Sequence, residues 1–305
     1  NFSTRKFSWN TTLTLSHNKN SVKALTGEAV QLYEAKFGFN QNTHRIAVGE
    51  PLGQFYGYIT EGLYQVDDFN YDASTQTYTL KDGVPYHGDK GQIRPGMWKF
   101  KNLTGDDNVI DENDKTVIGN AQPKFYGGLN NSFTYKGFDL SIFLTFSYGN
   151  EVLNATKLVT SKVGSLNYNA LDVMNSSNRW MTINTEGEKV TDPGELAVLN
   201  AGKTVAVYHD AQQGDNYIHS WAVEDASYLK LSNVTLGYTF PKNLIARVGL
   251  KNLRLYATGN NLLTWTKYSG FDPEVSTMKS GLTPGVDFGA YPLSRSFIFG
   301  LNVAF

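Results

Sequence analysis

A segment rich in Asp and Asn, residues 102–114, comes closest to a metal site in residue type and spacing. A hard cation such as Ca²⁺ takes several oxygen ligands, and a short loop can supply them from closely spaced carboxylates. The candidate ligands are Asp106, Asp111 and Asp114. The alternative is an Asx-rich turn, whose side chains bond the local backbone and position the next strand. We favour the turn, keep Ca²⁺ as the second hypothesis, and expect no required cofactor.

Catalytic constellations are scarce in the sequence. The five histidines are scattered, without an H-E-x-x-H pair, and no G-x-S-x-G elbow is present. The adjacent acidic residues Asp67 and Asp68 would point to opposite sides of an extended chain, so they do not form a general acid/base couple. We therefore predict that the chain is not an enzyme.

Aromatic residues are abundant, with 18 Tyr, 18 Phe and 5 Trp. A flat ring offers an apolar face to the C–H face of a sugar and, in Tyr and Trp, a polar group at its edge. Six rings in or beside the long loops are candidates for contact with a ligand: Tyr56, Tyr58, Trp98, Trp180, Trp221 and Trp265. The alternative is that they pack the loops together or form an aromatic belt at a membrane interface.

Composition excludes several classes of protein. The 27 basic and 28 acidic residues give a net charge of −1, which argues against nucleic-acid binding because that role needs a basic face. The absence of cysteine excludes disulfides and thiolate zinc sites. No run of 18 apolar residues predicts a membrane-spanning helix, and the residues after Asn1 do not resemble a signal peptide.

Alternation of apolar and polar residues is the strongest structural signal. It predicts six β-strands, at about 2–16, 124–135, 138–148, 227–240, 251–259 and 294–305. The alternation changes phase near Asn233, which predicts a β-bulge there. The last strand alternates large apolar residues with small or polar ones, as expected between lipid and a wet lumen.

The connections between these strands alternate between long and short. The long ones cover about 17–123, 149–226 and 260–293, and the short ones 136–137 and 241–250. In an up-and-down sheet all the long connections fall at one end, which is the pattern of outer-membrane barrels. Six strands do not close such a barrel, since the smallest has about eight, so the chain is predicted to be the C-terminal part of something larger. A soluble β-sandwich is the alternative, but long loops disfavour it.

Several segments resemble the SusC/RagA family of TonB-dependent transporters, in the family's order along the chain. They are residues 49–58 (GEPLGQFYGY), 117–131 (VIGNAQPKFYGGLNN), 227–238 (SYLKLSNVTLGY), 255–262 (LYATGNNL) followed by Trp265, and 291–295 (YPLSR) with the terminal Phe305. The acidic segment departs from the family's EF-hand-like pattern, with Asn102 and Thr104 at expected ligand positions, so Ca²⁺ would bind weakly.

The resemblance implies a 22-stranded antiparallel barrel in the outer membrane of a Gram-negative bacterium. It implies TonB-energised import of glycans or oligopeptides, with a SusD-like lipoprotein as lid that loop aromatics would contact. This chain would supply the last six strands and the long extracellular loops. The plug, the TonB box and the other strands would belong to the N-terminal remainder. Phe305 resembles the terminal signal for barrel assembly.

Two other functions remain open from the sequence. A secreted all-β carbohydrate-binding module would bury the apolar strand faces inside the protein. A passive porin would use the same barrel without a plug.

Overall fold

The computed structural model describes residues 1–4, 6–34, 42–105, 107–161, 169–207, 217–278 and 280–305. The strands of these residues are β1 (Phe2–Ser3), β2 (Phe7–Ser16), β3 (Val30–Glu34), β4 (Asn42–Ala47), β5 (Gln54–Gly57), β6 (Thr60–Leu63), β7 (Phe69–Asp72), β8 (Thr77–Leu80), β9 (Tyr86–His87), β10 (Trp98–Phe100), β11 (Val109–Ile110), β12 (Thr116–Asn120), β13 (Phe125–Tyr135), β14 (Phe138–Tyr148), β15 (Glu151–Asn154), β16 (Val223–Asp225), β17 (Tyr228–Thr239), β18 (Asn252–Thr266), β19 (Val286–Asp287) and β20 (Ser296–Ala304).

Among the residues that the structure describes, helical structure is limited to short segments. The α-helices are α1 (Ala155–Thr160), α2 (Pro193–Leu199) and α3 (Lys242–Ile245). Single 3₁₀ turns cover Val66–Asp68, Lys90–Gln92, Glu112–Asp114, Asp172–Met174, Ser220–Ala222 and Ala246–Val248. Within the described part of the chain, no helix has the length and apolar character needed to cross a membrane.

The largest sheet has the strand order β1, β2, β13, β14, β17, β18, β20, and all neighbours in it are antiparallel. Strands that are consecutive in the sheet are joined by successive connections, as in an up-and-down barrel wall. The predicted all-β barrel wall is confirmed. We call the end with the short turns, which are at 136–137, at 240–251 and between β1 and β2, the short-turn rim. The opposite end carries the long connections.

Two predicted strand boundaries differ from the structure. The first predicted strand is divided into β1 and β2 by a turn in which the Thr4 N–H donates to the Phe7 carbonyl at 2.7 Å. The fifth, predicted to end at 259, continues as β18 to Thr266.

Irregular strand pairing explains why the alternation pattern does not predict the C-terminal part of β18. Asn233 pairs with Phe143, but the next pair is Leu231 with Leu144, so Ser232 is extra and the predicted bulge is confirmed. In β18 the pairing passes from Asn260 to Leu263. Asn261 there has a positive φ of 52°, which Asn tolerates better than most residues. The bulge interrupts the alternation, which resumes after it.

The main sheet has two faces of opposite character. Because side chains alternate along strands and stay in register across them, paired residues share a face. One face is apolar and carries Phe133, Leu140, Leu236, Ala257 and Phe299 in one row across the paired strands. On this apolar face Phe299 is 81% exposed, so the described part of the chain leaves this part of the face uncovered.

The buried core lies elsewhere, among the long connections. We call residues 17–124, 149–227 and 267–295, as far as described, the loop layer. Its short strands and helical turns enclose four clusters of buried apolar residues, centred on Phe100, Phe55, Tyr64 and Val152. Asn154 and Asp192 cap α1 and α2 by accepting backbone N–H bonds. The loop layer is therefore a folded structure seated on one end of the sheet.

Candidate functional site

The second face of the main sheet is polar and is built from small hydroxyl and amide side chains. Thr145 bonds Ser232 across the strands at 2.7 Å, and Thr235 bonds Thr258 at 2.8 Å. The Asn233 amide donates to Asn260 Oδ1 at 2.7 Å. Hydroxyl and amide groups on such a face can hydrogen-bond to water. The same groups facing lipid would lose those hydrogen bonds, which would cost free energy. It is the face expected to line a barrel lumen.

A cavity of about 430 Å³ lies where this polar face meets the loop layer. We call it the inner rim cavity. Tyr126, Ser147 and Tyr228 of the sheet line it from below, and Gln122 and Glu274 line it from the loop layer. A larger cleft of about 870 Å³ adjoins it and shares Gln122 with it. The polar face therefore continues into open space among the loops.

A cluster of charged residues attaches the third long connection, residues 267–293, to the sheet beside this cavity. Lys230 is buried on the polar face, and its Nζ pairs with Glu274 and lies 3.6 Å from Asp272 Oδ1. The Tyr228 hydroxyl donates to the other oxygen of Glu274 at 2.5 Å. Two strand residues therefore hold two loop carboxylates at the mouth of the polar face.

Charges of both signs surround the two cavities. Lys19, Lys124, Glu151 and Asp225 line the larger cleft. The Glu151 carboxylate accepts the Asn120 N–H at 2.7 Å. Hydrogen bonds from the Ser227 hydroxyl and N–H lower the pKa of Asp225, so it stays ionised. Mixed charges and amides suit neutral polyhydroxy ligands or zwitterionic ones better than strongly charged ligands.

Three of the predicted contact aromatics are core residues. Trp180 is 1% exposed, and Tyr58 and Trp98 are also buried in the same cluster. Tyr58 stacks on Phe100 with ring centroids 5.1 Å apart. The prediction that these three rings face a ligand is corrected, because they stabilise the loop layer from inside.

The other three predicted aromatics lie in different surroundings. Trp265 is 51% exposed and pairs with Leu229 on the apolar face, near the loop end of the sheet. That position is typical of an interfacial belt, and a contact of Trp265 with substrate or lid stays a prediction. Trp221 is half-buried under Lys157, whose Nζ lies 4.0 Å from its ring centroid. Tyr56 is half-buried on β5, so a ligand contact there stays a prediction.

The acidic segment forms a compact turn around Asp114. Its buried carboxylate accepts the N–H groups of Leu103 at 2.6 Å, Thr104 at 2.8 Å and Asp111 at 2.8 Å. Burial alone would raise the pKa of Asp114, but these hydrogen bonds outweigh it and lower the pKa below 3.8. Asp111 in turn accepts the Asn113 N–H at 2.8 Å.

These bonds use the carboxylates as backbone acceptors, which is what the turn hypothesis predicts. Asp106, the third candidate ligand, lies outside the described residues. No group of three or more His, Cys, Asp or Glu residues suited to a metal ion occurs within the described ranges. The Ca²⁺ site stays a prediction.

Three of the histidines, His44, His87 and His219, are buried in the loop layer. Burial lowers the pKa of His219 to about 3 and that of His44 to about 4. His219 lies 2.9 Å from the Thr60 hydroxyl, and His44 lies 2.9 Å from the Pro284 carbonyl. Neutral imidazoles with such partners act as structural hydrogen-bonding groups.

Sequence reasoning missed the residues of the inner rim cavity. In the sequence, Gln122 belongs to a segment that resembles the family, and Ser147 belongs to an alternating strand, but neither pattern indicates a cavity. The signal that could have indicated them is the end of the polar strand face, because Ser147 is the last polar-face residue before the second long connection. Phe305, the predicted assembly signal, directly follows β20 and is exposed. Its role stays a prediction.

Comparisons with known proteins give one consistent result. No protein-family model matches the chain. The TonB-dependent receptor P3 of Formosa agariphila is 34% identical over 100% of this chain and 27% of its own length. The TonB-dependent receptor SusC of Bacteroides thetaiotaomicron is 28% identical over 99% of this chain and 25% of its own length. The chain therefore spans about a quarter of these relatives.

Solved structures show the same fold. The RagAB peptide transporter matches with a TM-score of 0.66 at 18% identity, covering 100% of this chain and 28% of that one. The RagAB peptide importer in its open-open state matches with a TM-score of 0.64 at 17% identity. All these relatives are receptors or transporters by name, while the absence of catalysis in this chain stays a prediction. In sequence and in fold, the chain is similar to a SusC/RagA-like C-terminal segment of TonB-dependent receptors, which are outer-membrane proteins of Gram-negative bacteria.

Proposed function

We propose that the chain forms part of the barrel wall and of the extracellular vestibule of a nutrient importer energised through TonB. One observation carries the proposal. The polar face of the main sheet continues into the inner rim cavity, while the apolar face is turned away from it and left uncovered. A wall with lipid on one side and a wet, loop-covered passage on the other has this arrangement.

The proposed cargo is a glycan or an oligopeptide. Amides, hydroxyls and charges of both signs line the two cavities, and these groups suit hydrogen-bonding ligands without a large net charge. A RagAB peptide transporter is among the similar solved structures, which supports the oligopeptide class, and the groups lining the cavities suit the glycan class equally.

The proposed partners are a SusD-like lipoprotein lid, the TonB complex and the remaining part of the barrel. The loop layer has its own buried clusters, so it can present a stable outer surface for a lid to close against. TonB and a plug would act through parts of the receptor outside this chain.

Uptake by cells carrying the full-length receptor tests the proposal. The probes are a fluorescein-labelled tryptic digest of casein and a 2-aminobenzamide-labelled dextran hydrolysate. We expect one of them to accumulate in a receptor-dependent manner, and a protonophore to abolish that uptake. Receptor-dependent uptake that persists with the protonophore would establish a passive porin instead. Absence of receptor-dependent uptake of both probes would reject the import proposal.

A pair of variants tests the cavity itself. Gln122→Trp fills the inner rim cavity, and we expect it to reduce uptake several-fold. Gln92→Trp is the matched control, because Gln92 is an exposed residue of the loop layer that does not line either cavity. Mass spectrometry of polypeptides that copurify with the detergent-solubilised receptor tests the lid. A surface lipoprotein is expected, and a chain that stays soluble without detergent would favour the carbohydrate-binding module.

A further inference from the structure

The short-turn rim carries a concentration of cations. Lys6, Lys136, Lys242, Arg247 and Lys251 all lie in its turns and are all exposed. None of the five forms an ion pair with a described residue. We propose that this rim binds the anionic headgroups of phospholipids in the periplasmic leaflet of the outer membrane.

The turns of the rim lie side by side, so their cations form one surface. The Thr239 N–H donates to the Gly137 carbonyl at 2.8 Å, which places the turn at 136–137 beside the start of the turn at 240–251. The Lys251 N–H donates to the Ala304 carbonyl at 2.8 Å and fixes the other end of that turn against β20. On the far side, Tyr135 pairs with Phe7, next to Lys6.

The charge is specific to this end of the sheet. In residues 1–7, 134–139 and 239–254 the only acidic residue is Asp139, and Arg254 already pairs with it at 2.5 Å. At the loop end, Lys124 and Lys19 are accompanied by Glu151 and Asp225. An excess of one sign at one rim attracts ligands of the opposite charge.

Apolar side chains next to these cations indicate a lipid rather than a free anion. Ile245 is buried and anchors the helical turn of α3, while Leu244 is 54% and Val248 71% exposed. Both residues are exposed on the short segment formed by α3 and the 3₁₀ turn Ala246–Val248 that follows it. A short amphipathic segment of this kind places its apolar groups at the boundary of headgroups and acyl chains.

Aromatic rings mark where that boundary lies. Tyr135 and Phe138 are exposed on the apolar face at this end, and the Phe138 and Tyr238 ring centroids are 4.5 Å apart. Lys136 Nζ lies 5.2 Å from the Tyr135 ring centroid. Tyr rings concentrate at the level of the headgroups, so the cations beside them lie within reach of lipid phosphates. The short turns of such barrels face the periplasm, which specifies the leaflet.

Native mass spectrometry of the full-length receptor tests the inference. The receptor is equilibrated with equal amounts of phosphatidylglycerol and phosphatidylethanolamine in detergent, and the retained lipids are counted. We expect preferential retention of phosphatidylglycerol, and at least a tenfold loss of that preference in the triple variant K242Q/R247Q/K251Q, since each surface cation contributes about fivefold. The matched control K23Q/K101Q/K189Q removes three exposed cations from the loop layer and should leave the preference unchanged.

A charge-preserving variant and a competing anion sharpen the test. The variant K242R/K251R keeps the charge and should retain the preference. Excess inorganic phosphate should not displace the lipid, because the apolar contacts bind only the lipid. Equal retention of both lipids by the wild-type receptor, an equal loss in the control variant, or displacement by phosphate would overturn the inference. Uptake of cargo is not the readout, so failure here leaves the proposed import function standing.

Discussion

Arg254 and Asp139 form a two-point ion pair that crosses over Gly237 on the strand between them. Arg254 Nε lies 3.0 Å from Asp139 Oδ1, and Arg254 Nη2 lies 2.5 Å from Asp139 Oδ2. A Cβ on Gly237 would lie 2.5 Å from both side chains. The glycine therefore leaves the space in which the charges meet on the polar face, near the short-turn rim.

Loss of this ion pair should reduce the stability of the receptor only slightly. The effects of substitutions at Gly237 and Arg254 should not be additive. We expect Arg254→Gln and Gly237→Ala each to destabilise the receptor by about 1 kcal/mol, because the pair has good geometry but is partly exposed. The double variant should lose much less stability than the sum of the losses in the two single variants. Thermal unfolding of the detergent-solubilised receptor measures this. Arg295→Gln, an exposed arginine without a described partner, is the control, and strict additivity would show that Gly237 does not position the pair.

Lys230 should hold the third long connection in place. Replacing it by Met keeps the size of the side chain but leaves Asp272 and Glu274 together without a cation. We expect a loss of about 1–3 kcal/mol, since the lysine is buried but Glu274 is partly exposed. Limited proteolysis should cut several-fold faster within residues 267–293. Lys267→Met changes an exposed lysine of the same connection and should not alter the cleavage rate; equal rates in both variants would contradict the assignment.

Acid should destabilise the loop layer through His219. Its pKa of about 3 in the folded protein, against 6.5 as the ordinary value, results mainly from burial, with smaller contributions from nearby Lys157 and His87. The unfolded chain therefore binds a proton that the folded chain does not, and stability falls as pH drops from about 6.5 toward 3. Protease sensitivity of the loop layer as a function of pH measures the effect. His219→Gln should reduce the slope of the profile between these values, while buried His44, whose pKa is lowered to about 4, supplies the slope that remains. His17→Gln, at an exposed site, should leave the slope unchanged.

Asp114 should stabilise the acidic turn without Ca²⁺. In Asp114→Asn an amide N–H₂ would replace one acceptor oxygen among backbone N–H donors, at a cost of about 2–3 kcal/mol. Stability from this carboxylate is present above pH 3.8 and is lost as pH falls through its lowered pKa. Thermal unfolding with EDTA and with added CaCl₂ should give the same midpoint. A Ca²⁺-dependent rise that Asp114→Asn abolishes and Glu186→Gln retains would favour the metal hypothesis.

The wall of the barrel could be predicted from local sequence alone. Phe138 through Tyr148 alternate so regularly that only one strand register puts the apolar residues on one face, and a shift of one residue would reverse every side chain. The phase change near Asn233 likewise predicted the bulge at Ser232, because an extra residue is the simplest way to restore the faces.

The contents of the loop layer depended instead on tertiary contacts. Nothing local distinguishes Trp180, which is buried, from Trp265, which is exposed on the apolar face, because burial depends on contacts with distant segments. The inner rim cavity combines Gln122, Ser147 and Glu274 from separate connections and strands, and no sequence period links them. Local alternation specifies strands that pair with close neighbours, whereas the vestibule arises from long-range packing among connections that have no period of their own.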